Sequence, residues 1–298
     1  MTDMDEKYSS IRFLLTVTVI AVMLLLLAAV FTYQNRRTAS APSVHVAATI
    51  FPLYDLVRAI GGEHASVRLL LPEGEALSEL PAIISRASYD DVQAIFSIGY
   101  ELDTRGIPED ARGRIVTVDE NIALQTTSDG TVNPYYWLSV KEAPIIAENI
   151  ASHLSSLDPE HGSYYQDRLG LLRQQLASLD ANIAELMLLI PGQQLAIYGY
   201  DWSYFAEDYG LDIVWHESAA GEDPLTSESL DMLSELMKKN SLTSIFSDVH
   251  LSPGPLLPAM IRTNAVLLNL DALGGIEDRM SYSTFMAFNA RTIFDGSH

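Results

Sequence analysis

Asp158 to Gly192 reads DPEHGSYYQDRLGLLRQQLASLDANIAELMLLIPG, and within it Tyr165, Leu169, Leu172, Leu176, Leu179, Ile183, Leu186 and Ile190 recur at alternating steps of four and three. That spacing is the apolar face of one amphipathic helix. Asp158 can cap it, Pro159 suits the first helical position, and Pro191-Gly192 stops it, so the pattern predicts a helix over 158–190. At about 1.5 Å per residue this is a rod of roughly 48 Å, far longer than an average helix. A single heptad stretch flanked on both sides by short α/β patterns fits a rigid connector between two domains better than half of a coiled coil.

On the N-terminal side of this rod, "VHVAATI" reads as a buried strand and "PLYDLVRAIGG" as a helix closed by Gly61 and Gly62. "ASVRLLL" is a second strand, a helical stretch follows around Pro81–Val92, and "VQAIFSIG" is a third strand. Residues 103–132 are polar and turn-rich, with a weak strand signal at "RIVTVD". On the C-terminal side the alternation repeats, through "QLAIYG", "DWSYFAEDYG", "LDIVWH", "TSESLDMLSELMKKN", "TSIFSD", "GPLLPAMIRT", "AVLLNL" and "YSTFMAFNARTIF". Strand-helix alternation argues for parallel sheets covered by helices. The expected fold class is α/β, two parallel-sheet lobes (44–157 and 191–298) joined by the helix at 158–190. Ligands of open α/β sheets bind at the carboxyl ends of strands, so the loops after Leu71, Gly99, Gly199, His216, Asp248 and Leu270 should line a cleft.

Ahead of the lobes, and after a tail over 1–12, stands "FLLTVTVIAVMLLLLAAVFTY", Phe13–Tyr33, an uncharged run long enough to cross a hydrocarbon core. Its acidic start and its length favour an uncleaved transmembrane anchor over a cleaved signal, although "TASA" ending at Ala41 resembles a cleavage site. Arg36 and Arg37 follow, then a polar linker to Ser43, with 34–43 as the whole linker. Lys7 and Arg12 balance those arginines, so the charge rule leaves orientation open. The 298 residues contain no cysteine, which excludes disulfides, thiolate metal sites and a lipid-bearing cysteine. Thirty-nine acids against 18 bases give a formal charge of -21, which repels nucleic-acid phosphates and excludes that class of partner.

No phosphate loop, dinucleotide fingerprint, nucleophile elbow or paired metal-histidine helix occurs, so an enzyme reading has little support. His45, His153, His161 and His298 read as packing or solvent positions. The pairs His216–Glu217 and Asp248–His250 follow strands in the expected cleft region. "NPYYWLSV", Asn133–Val140, sets three aromatics behind an Asn-Pro turn, either ordinary core or a binding surface.

Taken in order, "IFPLYDLVRAIGG", "NPYYWLS", "DWSYFAEDYGL", "GEDPLTSESLDMLSELMKKNSLTSIFSD", "LDALGG" and "YSTFMAFN" resemble successive blocks of the zinc and manganese solute-binding proteins that deliver metal to ABC importers. The resemblance runs from about Val44 to the C-terminus. It implies two α/β lobes on one long helix, a soluble part outside the cell membrane, an ABC importer permease as partner, a zinc or manganese cargo, and action by binding and lobe closure rather than catalysis. With the N-terminal run it implies a single-pass membrane protein.

That family holds metal between the lobes, usually with histidines from two motifs of the first lobe, a histidine or glutamate after the first strand of the second, and a late aspartate. Carried over, these positions fall near Ser78 in "PEGEALSELP", on Tyr135, on Gly199 in "YGYDWSYF", and on Asp271 in "LDALGG". Only Asp271 keeps the family's residue type. One carboxylate with neutral Ser78 and Tyr135 replaces the hydration shell of zinc poorly. Glu79, Asp201, Asp248 or His250 could rebuild an oxygen-rich site for a harder cation such as manganese. Alternatively, Tyr135, Tyr198 and Tyr200 with Asp271 could cage an organic cation, or fill the vacated volume and leave an interaction or adhesin-like module.

Overall fold

The computed structural model describes residues 18, 20–27, 42–100, 108–126, 130–218 and 225–297. The chain divides into two compact units, Met1–Ser43 and Val44–His298. In the first, residues 20–27 are helical and exposed. More than half of the apolar run 13–33 lies outside the described residues, as do the tail and most of the linker, and among the described residues no helix is long and apolar enough to cross a membrane.

The second unit carries two four-stranded sheets, parallel throughout. The first is built from β1 (Val44–Ala48), β2 (Ala65–Leu69), β3 (Ala94–Ser97) and β4 (Ile115–Thr117), in the order β2-β1-β3-β4. The second is built from β5 (Gln194–Tyr198), β6 (Asp212–Glu217), β7 (Ser244–Asp248) and β8 (Val266–Leu270), in the order β6-β5-β7-β8. Between them stand α1 (Phe51–Gly61), α2 (Leu80–Ile84), α3 (Glu109–Arg112), α4 (Ala143–Leu157), α5 (Gly162–Met187), α6 (Ser203–Tyr209), α7 (Ser227–Asn240), α8 (Leu257–Thr263) and α9 (Tyr282–Asp295). Parallel neighbours need crossovers, and the α/β alternation supplies them. Each strand order reverses direction once, at β1/β3 and at β5/β7, and such reversals open a crevice at the strands' carboxyl ends.

The rod read over 158–190 is a 3-10 turn at Pro159–His161 followed by α5, 26 residues long. Asp158 acts through its carboxylate, which accepts from the Tyr165 hydroxyl at 2.8 Å and meets His161 Nδ1 at 2.8 Å. The buried stripe is Tyr165, Leu169, Leu172, Leu176, Leu179, Ile183 and Met187. Met187 takes the place expected of Leu186, which is half-buried, because one helical turn from Ile183 falls on 187. This stripe packs on α1 and α4 from the first half of the chain and on α9 from the last, so one helix serves both sheets.

Two local expectations change. The helix expected around 81–92 shrinks to α2, because the Arg86 and Ala87 N–H groups turn back to the carbonyls of Ile83 and Ile84, and the Ser85 hydroxyl takes that of Ala82. The weak signal at "RIVTVD" is a true edge strand, β4, paired with β3. Helix starts follow their hydroxyl caps. Thr226 accepts from the Ser229 N–H before α7, and Ser281 forms a reciprocal capping box with Thr284 before α9.

Leu176 is 1% exposed at the middle of the α5 stripe. Leu176→Ala is expected to cost about 2–5 kcal/mol through lost transfer energy and the cavity left behind, read as a lower midpoint in urea unfolding followed by circular dichroism.

Candidate functional site between the sheets

The carboxyl ends of β5, β7 and β8 deliver the second half's contribution. Gly199 follows β5 with φ 119°, a conformation that favours glycine. A Cβ there would come within 2.8 Å of Leu251 Cδ1 and 3.3 Å of Asp248 Cβ, so this position is closed to a donor side chain. The next residue, Tyr200, reaches across instead, its hydroxyl accepting the Leu77 N–H at 3.3 Å, beside Ser78. Its ring meets Tyr135 edge-on at 5.4 Å, and Tyr135 meets Trp137 in the same way at 5.3 Å.

Tyr135 begins a 3-10 turn, Tyr136–Leu138, whose start is shaped by the Asn133 side chain accepting the Tyr135 N–H at 3.0 Å. Trp137 is buried and donates Nε1–H to the Ala272 carbonyl at 2.8 Å, directly beside Asp271. Tyr282 at the start of α9 returns its hydroxyl to the carbonyls of Trp137 and Ser139, at 2.8 and 3.1 Å. Ser139 and Tyr204 add further ties, to Asp208 at 2.6 Å and to the Asn133 carbonyl at 3.0 Å. "NPYYWLSV" is therefore both core and cleft wall. Tyr136, Trp137 and Leu138 are buried, while Tyr135 is half-buried and turned toward Tyr200.

Asp248 ends β7. Its Oδ1 accepts the His250 backbone N–H at 2.9 Å and faces His250 Nδ1 at 2.7 Å, and its Oδ2 accepts the Ala272 N–H at 3.2 Å. Asp271 follows β8 with no exposure. Its Oδ1 accepts the N–H groups of Leu273 and Gly274, at 2.9 and 2.7 Å. Its Oδ2 lies 3.2 Å from Arg279 Nε, with both side chains almost wholly buried. Gly274 and Gly275, at φ 71° and 82°, let this loop press against Phe51 and Phe285. Asn289 on α9 clamps the Asp271 backbone from both sides, accepting its N–H and donating to its carbonyl.

The structure thus brings together Tyr135, Tyr200, Asp248, His250 and Asp271, with Asp201 near Tyr135. Ser78 and Glu79 sit at the rim with exposed side chains. Tyr198, the last residue of β5, lies in a separate apolar cluster with Ala196 and Trp215, and the positive φ of Gly199 breaks the strand's alternation before Tyr200. Asp201 accepts the Ser203 N–H at 2.9 Å, at the start of α6. His216 lies 3.1 Å from the Gly199 carbonyl.

Burial, followed by the charges of Asp201 and Asp248, pushes the Tyr135 phenol upward. Burial and Asp248 do the same to Tyr200, against the Leu77 hydrogen bond and with smaller pushes from Tyr135 and Asp271. Both phenols stay protonated at neutral pH, so they offer neutral oxygens rather than phenolate ligands. Among the described residues no group of three or more histidine, cysteine, aspartate or glutamate side chains is placed to hold a metal ion. The donors are already spoken for: Asp248 by His250 and Ala272, Asp271 by Leu273, Gly274 and Arg279. Arg279 had no motif to mark it, since it lies in the unremarkable "EDRM" eight residues beyond Asp271.

Two α/β sheets facing each other across a crevice at their reversal points, on one long helix, define a two-lobed solute-binding protein. Residues 46–296 match the family described as ZnuA, zinc-uptake complex component A, periplasmic, and the chain belongs to that family. It is a family of substrate-binding components of metal ABC transporters, not of enzymes. The chain is 26% identical over 293 residues, 91% of this chain and 94% of the relative, to the metal ABC transporter substrate-binding lipoprotein ScbA of Streptococcus cristatus. It is 24% identical over 285 residues, 88% of this chain and 92% of the relative, to the manganese ABC transporter substrate-binding lipoprotein PsaA of Streptococcus mitis. In fold it is similar to a crystal structure of ZnuA, with TM-score 0.71 and 20% identity over 86% of this chain and 100% of that one. The Mn-bound periplasmic metal binding protein of candidatus liberibacter asiaticus is similar at TM-score 0.68 and 20% identity, with the same coverage of 86% and 100%.

Burial opposes charge on the His250 imidazole, but the hydrogen bond and charge of Asp248, with Asp271 behind it, outweigh burial and Arg279 together and raise its pKa. A raised folded value stabilises the fold fully below the unfolded value of about 6.5, and that contribution is lost as pH rises through the folded value. The stability difference between wild type and His250→Gln in urea titrations should therefore be largest near about pH 5.5 and shrink by about pH 8.5.

Proposed function

We propose that this chain is the extracytoplasmic substrate-binding component of an ABC importer whose cargo site has been rebuilt. It is held at the membrane by the helix of the 13–33 run and docks on an importer permease. Lobes at 44–157 and 191–298 enclose the cleft, with 158–190 between them. The observation that carries this reading is Asp271. It stands at the family's late aspartate position, at the carboxyl end of β8, and faces the crevice wall formed by Tyr135 and Tyr200 within a chain matched over 46–296.

The cargo class to which the relatives point is a divalent metal. The manganese transporters among them name it, and neighbouring structures are described as Mn-bound and Cd-bound. At the positions carried over, Ser78 is exposed, Tyr135 is a neutral phenol, Gly199 has no side chain, and only Asp271 supplies a carboxylate. That set, as it stands, does not match the nitrogen-rich tetrahedron zinc prefers, nor the oxygen-rich shell of a harder cation. The relatives are named as lipoproteins, whereas this sequence has no cysteine to carry a lipid, and an apolar helix is the anchor chemistry left to it.

A second reading is favoured by the direct bonding across the crevice. Trp137 to Ala272, Tyr200 to Leu77 and Tyr282 to Trp137 fill the space between the sheets with side chains of the protein itself. A fold so interlocked can serve as a binding module for another protein without carrying a solute.

Importer function predicts that the full chain, extracted from source-cell membranes in mild detergent, co-purifies with an ABC permease. It also predicts that deletion of 13–33 releases the protein from carbonate-washed membranes. Firm membrane attachment with no permease partner would select the module reading.

A further inference from the structure

We propose that the crevice takes a small primary ammonium that also carries a neutral hydrogen-bond acceptor, in a pocket between Asn133 and the start of α6. The inference rests on the importer reading and names its cargo class. The pocket, of about 480 Å³, draws its walls from both halves of the chain, and that volume lies within the range of small-molecule sites. On one side stand Gln125, Thr126 and Asn133, tied by the Asn133 N–H on the Gln125 carbonyl at 2.9 Å and by the bridge of Thr126 with Val132. On the other stand Asp201, Ser203 and Glu207. The two sides meet at the Tyr204 hydroxyl, which accepts the Gln125 N–H at 2.8 Å and donates to the Asn133 carbonyl at 3.0 Å.

Asn133 is the group that asks for a ligand. It is 2% exposed, and its Oδ1 accepts the Tyr135 N–H at 3.0 Å, which fixes the amide's orientation. The Nδ2 group of this pocket-lining side chain then donates to no acceptor among the described residues. A buried N–H donor left unpaired is costly, so the pocket is suited to a molecule that brings an oxygen to it.

The opposite wall calls for positive charge. Asp201 Oδ1 accepts both the N–H and the hydroxyl of Ser203, and Glu207 Oε2 accepts Gln125 Nε2–H at 2.5 Å. Each carboxylate keeps a second oxygen without a hydrogen bond, and neither forms an ion pair among the described residues. Burial and then the charge of Asp201 raise the Tyr135 phenol, and Asp201 adds a smaller push to Tyr204, whose burial is again the main cause. A primary ammonium supplies up to three N–H donors to such acceptors. A quaternary ammonium supplies none and needs aromatic faces, and no aromatic side chain is among the residues lining this pocket.

The test is isothermal calorimetry on the full chain in mild detergent, with glucosamine and lysinamide as probes, each an ammonium with a hydroxyl or carbonyl oxygen. At least one of them should bind, and more tightly than 1,4-diaminobutane, which lacks the acceptor. N-acetylglucosamine, which lacks the charge, and tetramethylammonium, which lacks the N–H donors, should give no binding. Asp201→Asn and Glu207→Gln keep the oxygens that serve Ser203 and Gln125, and each should weaken the bound probe at least about tenfold. Silence from both probes, equal binding of N-acetylglucosamine or of 1,4-diaminobutane, or unchanged affinity in both variants would overturn the proposal. Should the variants not fold, salt dependence in the wild-type protein decides: affinity should fall as ionic strength rises, and a constant affinity overturns the proposal. Permease co-purification without ammonium binding would leave the importer reading standing and remove this cargo class. Ammonium binding without a permease would do the reverse.

Discussion

A carboxylate with no contact with water must be matched where it lies, and the burial of Asp271 organises the whole second wall of the cleft. Two backbone N–H groups answer one oxygen and Arg279 answers the other. Delivering those N–H groups requires the tight Leu273–Gly274–Gly275 loop, and that loop requires glycines because Phe51 and Phe285 lie against it. Asn289 then fixes the Asp271 backbone to α9, and α9 rests on α5. Removing one partner of such a pair leaves an uncompensated buried charge, at a cost of about 3–5 kcal/mol. The ion pair is thus an element of the fold as well as of the site.

The apolar stripe of α5 is the other half of that economy. By packing on α1, α4 and α9 it holds both sheets on one rigid element, and the short polar bonds through Trp137, Tyr200 and Tyr282 close the crevice from within. Function in this geometry depends on what breaks first. Opening the crevice costs buried hydrogen bonds from aromatic hydroxyls and an indole, and freeing Asp271 costs a buried ion pair. The cleft is therefore better described by its internal occupants than by an open cavity.

Much of this was legible in order along the chain. The strand-helix alternation, the steps of four and three from Tyr165 onward and the hydroxyl caps at Thr226 and Ser281 are local signals, and each has its element. Those that failed were local competitions. The helix expected to Val92 lost to turns at Ser85–Ala87, and Leu186 yielded its buried place to Met187 by a single residue of helical phase, while Ile190 is buried as expected. In the site, the series of motifs led to Asp271 and Tyr135, and Asp248 and His250 could be suspected from their place after β7. Tyr198 could not be separated from Tyr200 by motif alone, since strand alternation puts residues two apart on one face, and it is the positive φ of Gly199 after the end of β5 that turns them apart. Arg279 carried no signal, because a basic residue in a loop is ordinary until its neighbour across space is known.

By itself the sequence determined the two α/β halves, the long helix between them and the family, since periodicity and ordered motifs are properties of neighbours along the chain. The tertiary structure alone decided that Gly199 has no room for a donor, that Tyr200 rather than Tyr198 faces the crevice, and that Asp271 is already paired. Those outcomes depend on contacts between residues far apart in sequence and on which charges lose their water together, and a buried charge takes whatever partner the fold brings within reach.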